Sequence, residues 1–433
     1  MPQCLPQHPR YQIEFVVLSF EGPDLYSLVG GLGVRVTELT KMMAEMGYST
    51  RLFFVGDPEE PDYQVENGRL HFHRWSRWLS RRYPEGVYHG EVAKVEDYQK
   101  SLPEFLVSHV IKENAEAGVL TVVMGEDWHT AGAMSRTAEL LKKQGMMDNA
   151  LLFWNANNVF GFEAIDFPRL SAATQLLTIS RYMKERMKTL KLQTQVIGNG
   201  IPPRFWARVD KSTGAEIKKI FPDILLTKIG RYHPDKRWLM AVEALKHIRE
   251  KDIPATMLVR GGREEYGQVV RDKAKELGLR WVRLSPPASD HQTVLNTLAE
   301  HKEADILELD FFVPEKFLRT LYWTSDAVLA NSSHEPFGLV GLEVMACGGV
   351  AVTGSTGEEY IHHFHNGICL SSDDPREIAV YVRELRKSPQ KSEELRRNGR
   401  QTAKRFSWET VIEDFLRKVE LTAWAKGVTL LEA

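Results

Sequence analysis

The sequence predicts an α/β protein built on two parallel sheets, each with helices on both faces. Three observations predict it. Short apolar, β-rich runs alternate with amphipathic stretches along the whole chain. The alternation breaks near 201–213, where Pro202, Pro203 and polar residues interrupt it. A length of 433 residues suits two large domains, each with its own core.

In the first half, residues 13–20, 51–55, 119–124, 151–154, 175–179 and 195–197 read as buried strands. Between the first two, Val36, Leu39, Met43 and Met46 recur at helical spacing, and Gly47 follows as a C-terminal cap. In the second half, 224–229, 255–259, 281–284, 305–312, 327–330 and 349–352 read as strands, with helices over 238–248 and 318–324. Near-continuous apolar strands separated by helices predict parallel pairing. A last helix starts at the N-cap Ser407, with Ile412, Phe415, Leu416 and Val419 as its apolar stripe. Its periodicity does not say which domain receives it.

Composition narrows the function. Charged residues are 26% and hydrophobic ones 43%, an ordinary globular balance. Lys plus Arg number 56 against 58 Asp plus Glu, so a nucleic-acid-coating role is disfavoured. Cys4, Cys347 and Cys369 are odd in number and lack C-x-x-C spacing. That argues against a disulfide framework or a cysteine zinc site, and for a reducing compartment. The apolar run 13–20 is too short to span a membrane and ends in Glu21, and the stretch 338–354 carries Glu343. The expected location is the cytoplasm.

Ligands of open α/β sheets sit beyond the carboxyl ends of the strands. The glycine loop Gly30, Gly31, Leu32, Gly33 follows the first strand and opens the first helix. It fits either backbone amides approaching an anion or a turn that needs positive φ. Arg231 and Lys236 follow the strand at 224–229 and suit a diphosphate, a fork and a point charge five residues apart. The alternative is a solvated pair, although cations are poorly placed at a helix start without an anion. Glu335 to Glu343, with Phe337, Gly338 and Leu339 between them, joins an apolar strand to a glycine-rich helix. There Glu335 and Glu343 fit vicinal hydroxyls, and the amides of Gly338 and Leu339 fit a phosphate; the plainer alternative is an acidic helix start. Asp127-Trp128-His129 follows the strand at 119–124, and His129 fits either a substrate hydroxyl or a satisfied core position. Gly262 lies beyond the strand at 255–259, where a base would be read. The trio His362, His363 and His365 lacks a helical pair or an accompanying acid, so no metal is expected. Residues 71–83 hold Arg74, Arg77, Arg81 and Arg82 together with Trp75, Trp78 and Tyr83, and no acid. They suit anionic lipid, a sugar-phosphate acceptor, or simply an exposed basic loop or helix face.

Taken together, these loops resemble glycosyltransferase family 4, the retaining transferases of GT-B fold. The elements GGLG, DWH, G-R-x4-K and EPFGLVGLE appear in order, and Val196-Ile-Gly-Asn-Gly-Ile201 looks like that family's interdomain strand end. The resemblance implies two Rossmann-like domains facing across a deep cleft. It gives an N-terminal acceptor-side domain over 1–205, a donor domain over 206–406, and a helix over 407–433 crossing back to the first. Hinges would lie near Pro202–Pro203 and the start of that helix, with closure completing the site. It implies a hexose, glucose foremost, moved from a UDP, ADP or GDP sugar to a hydroxyl acceptor, without metal or other cofactor. By position, Arg231 and Lys236 would hold the diphosphate, Glu335 the sugar hydroxyls and Glu343 the ribose. Phe337, Gly338 and Leu339 would offer backbone to sugar and phosphate. His129 would lie beside the sugar, and Gly31 would let the first loop approach the diphosphate. Bacterial glycogen and starch synthases carry K-x-G-G-L-G followed by Asp. Leu28 and Val34 stand at those positions here, which weakens the case for a glucan-chain acceptor. An epimerase of the same fold, a non-catalytic sugar-nucleotide sensor and a membrane-surface transferase with a lipid acceptor are the alternatives. Oligomeric state is not legible.

Overall fold

The computed structural model describes residues 12–250, 253–333 and 335–431. Cys4 lies outside them; Cys347 and Cys369 are free thiols. The chain divides into two compact units, Met1–Gly200 with Trp408–Ala433, and Ile201–Ser407. Among the described residues no helix is long and apolar enough to cross a membrane.

The first unit holds eight strands: β1 (Ile13–Leu18), β2 (Ser49–Val55), β3 (Tyr63–Glu66), β4 (Leu70–Trp75), β5 (Leu120–Glu126), β6 (Ala150–Ala156), β7 (Gln175–Thr178) and β8 (Gln195–Val196). Their spatial order is β3-β4-β2-β1-β5-β6-β7-β8. Among the described residues of this unit only β3 runs antiparallel. Every residue of β1 and β6 is buried, the signature of strands covered on both faces. Val17 of β1 stands in register with Leu52 on one side and Met124 on the other.

The hairpin β3–β4 has no counterpart in the strands read from sequence, where residues 71–83 appear as a loop or helix face. They are strand β4, which lies between β2 and the edge strand β3, followed by the short helix Arg77–Arg82. The apolar alternation Leu70, Phe72 does face the core. The polar side chains of this strand find aromatic or charged partners: His73, on the opposite face, stacks on Phe53 at 4.2 Å, and Arg74, on the buried face, pairs with Asp24 at 2.8 Å.

The last helix, Trp408–Ala425, packs on this first unit. Ile412, Phe415, Leu416 and Val419 are all buried, and Phe415 meets Phe15 at 5.9 Å and Phe153 at 5.2 Å. The two chain crossings lie side by side. Ile201 ladders with Ser407 and donates to the Phe406 carbonyl at 2.6 Å. At Gly200 a Cβ would stand 2.2 Å from the Trp408 ring, so only glycine lets the tryptophan close over the crossing.

The second unit holds β9 (Ile224–Ile229), β10 (Ala255–Arg260), β11 (Trp281–Leu284), β12 (Ile306–Leu309), β13 (Ala327–Ala330), β14 (Ala351–Thr353) and β15 (Ile368–Cys369). All are parallel, in the order β11-β12-β10-β9-β13-β14-β15. The strand expected over 305–312 is shorter at both ends. Helix Trp238–Arg249 covers one face through Trp238, Val242, Leu245 and Ile248, all fully buried. Each such side chain contributes about 1.5–3 kcal/mol by leaving water.

Phe415→Ala is expected to lower the stability of the first unit by about 3–5 kcal/mol, read as a lower urea midpoint. An unchanged midpoint would remove the last helix from that core.

Candidate active site

In the second unit, β9 and β13 are neighbours, and the loops after them meet. Gly230 ends β9 at φ +155°, a backbone open to glycine alone. The next two side chains diverge. Tyr232 turns inward, donating its hydroxyl to Glu308 at 2.7 Å and its amide to Glu264 at 3.0 Å. Arg231 turns outward, and its guanidinium has no partner among the described residues; its carbonyl accepts from Trp238 Nε1 at 2.8 Å. The Ser333 amide donates to the Asp235 carbonyl at 2.8 Å and joins the two loops. That join brings Lys236 against Glu335 as an ion pair. Burial, with Arg231 nearby, pushes the Lys236 ammonium down to about 8. Lys236, Glu335 and Gly338 line one small cavity with Lys228, Ser332 and Gly341.

Beyond Glu335 the chain turns through Phe337, buried against Tyr360 and Phe406. Gly338 is the N-cap of helix Leu339–Ala346, and its carbonyl accepts the Tyr360 hydroxyl at 2.6 Å. That helix has no acidic residue in its first turn to answer its free amides. Glu343 is half-buried on it without a hydrogen-bond partner among the described residues, and desolvation pushes its carboxyl up to about 7. Gly261 and Gly262 end β10, next to β9. A Cβ at Gly261 would stand 1.8 Å from the Tyr232 ring, and one at Gly262 would stand 2.3 Å from the Glu264 carboxylate.

Sequence reasoning missed Lys228 beneath this cavity. Its ammonium donates to Asn331 Oδ1 at 2.5 Å and lies over the Trp238 ring at 5.1 Å, and burial lowers its pKa strongly. Arg237 is a second omission; it sits at φ +50° and pairs with Asp373. The adjacent basic pair Lys236-Arg237 was the available signal.

The site residues of the first unit form their own group. The glycine loop opens helix Gly31–Glu45 as expected, but two of its amides are already engaged. Gly30 and Gly33 both donate to Glu21 Oε2, each at 2.9 Å, and the Tyr88 hydroxyl donates to Glu21 Oε1 at 2.5 Å. This corrects the expectation that those amides stand ready for a diphosphate: an internal carboxylate, buried and helix-capping, answers the positive helix end instead. At Gly31 a Cβ would meet nothing within 4 Å, so that position alone stays open.

His129 enters helix Trp128–Gln144 behind Asp127, which holds the strained φ of +61°. Asp127 accepts from the Asn157 amide at 2.8 Å and Asn158 Nδ2 at 3.0 Å, while burial pushes its carboxyl up to about 7. The imidazole is sandwiched between Phe20 at 4.2 Å and Trp128 at 4.0 Å. Its Nε2 lies 2.8 Å from Glu91 Oε1, and burial lowers its pKa despite that carboxylate. Glu21, Tyr88 and Glu91 were not singled out from sequence. Glu21 directly follows the first strand run, but nothing marks Glu91, 38 positions from His129.

The basic stretch 71–83 is partly consumed internally. Arg74 is held by Asp24, and Arg77 pairs with Asp62 and donates to the Pro58 carbonyl at 2.7 Å. Arg81, Arg82 and Trp78 remain exposed. Among the described residues no group of three His, Cys, Asp or Glu is gathered to hold a metal, and the trio at 362–365 is no exception.

Residues 215–402, within the second unit, match the family described as Glycosyl transferases group 1. The chain is 22% identical over 432 residues to an uncharacterized glycosyltransferase of Methanocaldococcus jannaschii, covering 93% of this chain and 96% of that one. It is similar in structure to sucrose-phosphate synthase from Thermosynechococcus elongatus, with TM-score 0.65, 18% identity, and 95% and 100% of the two chains covered. It is also similar to the Anabaena protein HepE in complex with UDP-glucose, with TM-score 0.58, 15% identity, and 94% and 99% covered. The fold is that of the GT-B glycosyltransferases, as the resemblance implied. The family match and these relatives support a glycosyltransferase of that superfamily.

An anion bound at Lys236 favours the charged ammonium and raises its pKa above about 8. Nucleoside diphosphate affinity is therefore expected to be highest below that pH and to fall as pH rises through it. Near pH 8, calorimetry in two buffers of different ionisation enthalpy should show proton uptake. Affinity that stays flat from about pH 7 to 9 would remove Lys236 from phosphate contact.

Proposed function

We propose that this protein is a retaining glycosyltransferase that moves a hexose, glucose foremost, from a nucleoside diphosphate to a hydroxyl acceptor. One observation carries the reading. Lys236 and Glu335 converge from adjacent strand ends beside an unpartnered Arg231 and an uncapped helix start, inside the segment that matches group 1 glycosyltransferases. The UDP-glucose complex of a structural neighbour supports a glucosyl donor and leaves UDP, ADP and GDP to be compared.

In this reading Arg231, Lys236 and the amides at Gly338 and Leu339 hold the diphosphate. Glu335 accepts from sugar hydroxyls, Glu343 from the ribose diol, and Gly262 leaves room for the base. The C1–O bond to the diphosphate breaks with oxocarbenium character. The acceptor oxygen bonds to C1 on the same face, and its proton passes to the departing phosphate oxygen. Negative charge grows on that leaving group, where fixed cations and helix amides act most strongly. Pairing with Lys236 holds Glu335 in the donor-free state, and an arriving diphosphate competes for the ammonium and frees the carboxylate for the sugar.

The first test is a melting screen with UDP, ADP and GDP and their glucose and mannose forms. A ligand at 100 times its dissociation constant stabilises by about 2.7 kcal/mol. A shift with one base names the donor, and no shift with any overturns the reading. Arg231→Ala is expected to lower turnover by about 10²–10³-fold; near-normal turnover would remove Arg231 from leaving-group stabilisation. Product NMR should show the donor's anomeric configuration retained, and activity is expected to persist in EDTA. An inverted product or abolition by chelation would count against the mechanism.

A further inference from the structure

We infer that Glu91 sets the tautomer of His129, holding the proton on Nε2 so that Nδ1 accepts a hydrogen bond from a substrate hydroxyl. The substrate half of this inference rests on the function proposed above. A carboxylate only accepts hydrogen bonds, so the 2.8 Å contact to Glu91 Oε1 requires His129 Nε2 to carry the hydrogen. The ring is otherwise apolar-walled: Phe20 and Trp128 stack on it and Tyr88 lies at 6.0 Å. In the neutral ring the proton on Nε2 leaves a lone pair on Nδ1. That atom is buried and has no hydrogen-bond partner among the described residues. A buried acceptor without a donor is costly, and such atoms in native proteins are normally satisfied. Here the unsatisfied atom lies beyond the carboxyl end of β5, the edge where this fold class takes its ligands. A sugar hydroxyl supplies the missing donor.

Glu91 is built to hold this position. It is the first residue of helix Glu91–Phe105, preceded by Gly90 at φ +71°. A Cβ at Gly90 would stand 2.3 Å from the Tyr83 ring, so the turn that aims Glu91 admits only glycine. The carboxylate acts through the histidine; it is a positioning residue.

Two measurements decide the inference. The first is a long-range ¹H–¹⁵N spectrum of histidine-labelled protein at neutral pH, with His129 assigned by His129→Gln. His129 is expected as the Nε2–H tautomer in the wild type and as a mixture in Glu91→Ala. An Nδ1–H wild type, or a spectrum unchanged in Glu91→Ala, overturns the role of Glu91. Saturation with whichever of UDP-, ADP- or GDP-glucose raises the melting temperature, with and without acceptor, should move the Nδ1 resonance toward the hydrogen-bonded range. A bound donor and acceptor that leave Nδ1 unmoved overturn the substrate contact. A chain that binds none of these donors overturns the proposed function and that contact with it, while the tautomer is decided by the spectrum alone.

The second is the rate of nucleoside diphosphate release, with water as acceptor if no other is known. Glu91→Ala should lower kcat/KM for the donor by about tenfold or more, part of the loss appearing in KM because the bound donor already makes the contact. Glu91→Gln should recover most of the rate, because its carbonyl still accepts from Nε2. A helix-dipole role depends on charge, so glutamine failing as alanine does would overturn tautomer control, as would a wild-type kcat/KM in Glu91→Ala.

Discussion

The first unit turns on one buried carboxylate. Glu126, at the end of β5, accepts from Arg35 Nε at 3.2 Å, from Asn155 Nδ2 at 2.8 Å and from Asn157 Nδ2 at 2.6 Å. Arg35 in turn donates to the Gly198 carbonyl at 3.2 Å and to Asn199, and lies over the Trp408 ring at 5.7 Å. The helix after the glycine loop, two central strands, the end of β8 and the returning helix are thereby pinned at one point. Both charges are nearly inaccessible, so neither can be satisfied by water if the other is lost. Such a pair is poor at adding net stability and good at fixing register. The strained Asp127 directly beyond it is tolerated because this network and the Asn157 amide hold it. His129 inherits its position from that arrangement.

The second unit solves the same problem with aromatic packing. Tyr232 and Trp238 meet at 4.6 Å and anchor the loop after β9 from below, which leaves Arg231 and Lys236 on its upper side. Gly261 and Gly267 both lie against Tyr232, so the tyrosine occupies volume that two missing side chains vacate. Inward anchors fix where the outward cations sit. Inward anchors and outward cations thus come from one short stretch of chain.

Much of this was legible in the sequence. Strand 327–330 read correctly because a parallel strand covered on both faces is an uninterrupted apolar run, and 224–229 and 281–284 kept enough apolar residues to read the same way despite Lys228 and Arg283. The positions of Arg231, Lys236, Glu335 and Glu343 followed from loops at strand ends, where glycine and charge have no packing role to explain them. The missed features share one cause: a polar group was satisfied by a partner remote in sequence. β4 was hidden because Arg74, neutralised by Asp24, looks like an exposed charge. The state of the glycine loop depended on Glu21 folding back across nine and twelve positions, and periodicity carries no trace of that. Local pattern reports which face of an element is buried. It does not report which ions find each other once it is.

The adjacent crossings at Gly200 and Trp408 make the second unit an insertion within the first. Biosynthesis then imposes an order. The first 200 residues leave the ribosome with Phe15 and Phe153 awaiting Phe415, which is made only after the whole inserted unit. At about 5–20 residues per second, that wait is on the order of 10–40 seconds. The nascent chain carries an open apolar seam throughout, while the inserted unit, contiguous in sequence, can fold to completion. The helix that completes the first unit is therefore translated only after the inserted unit.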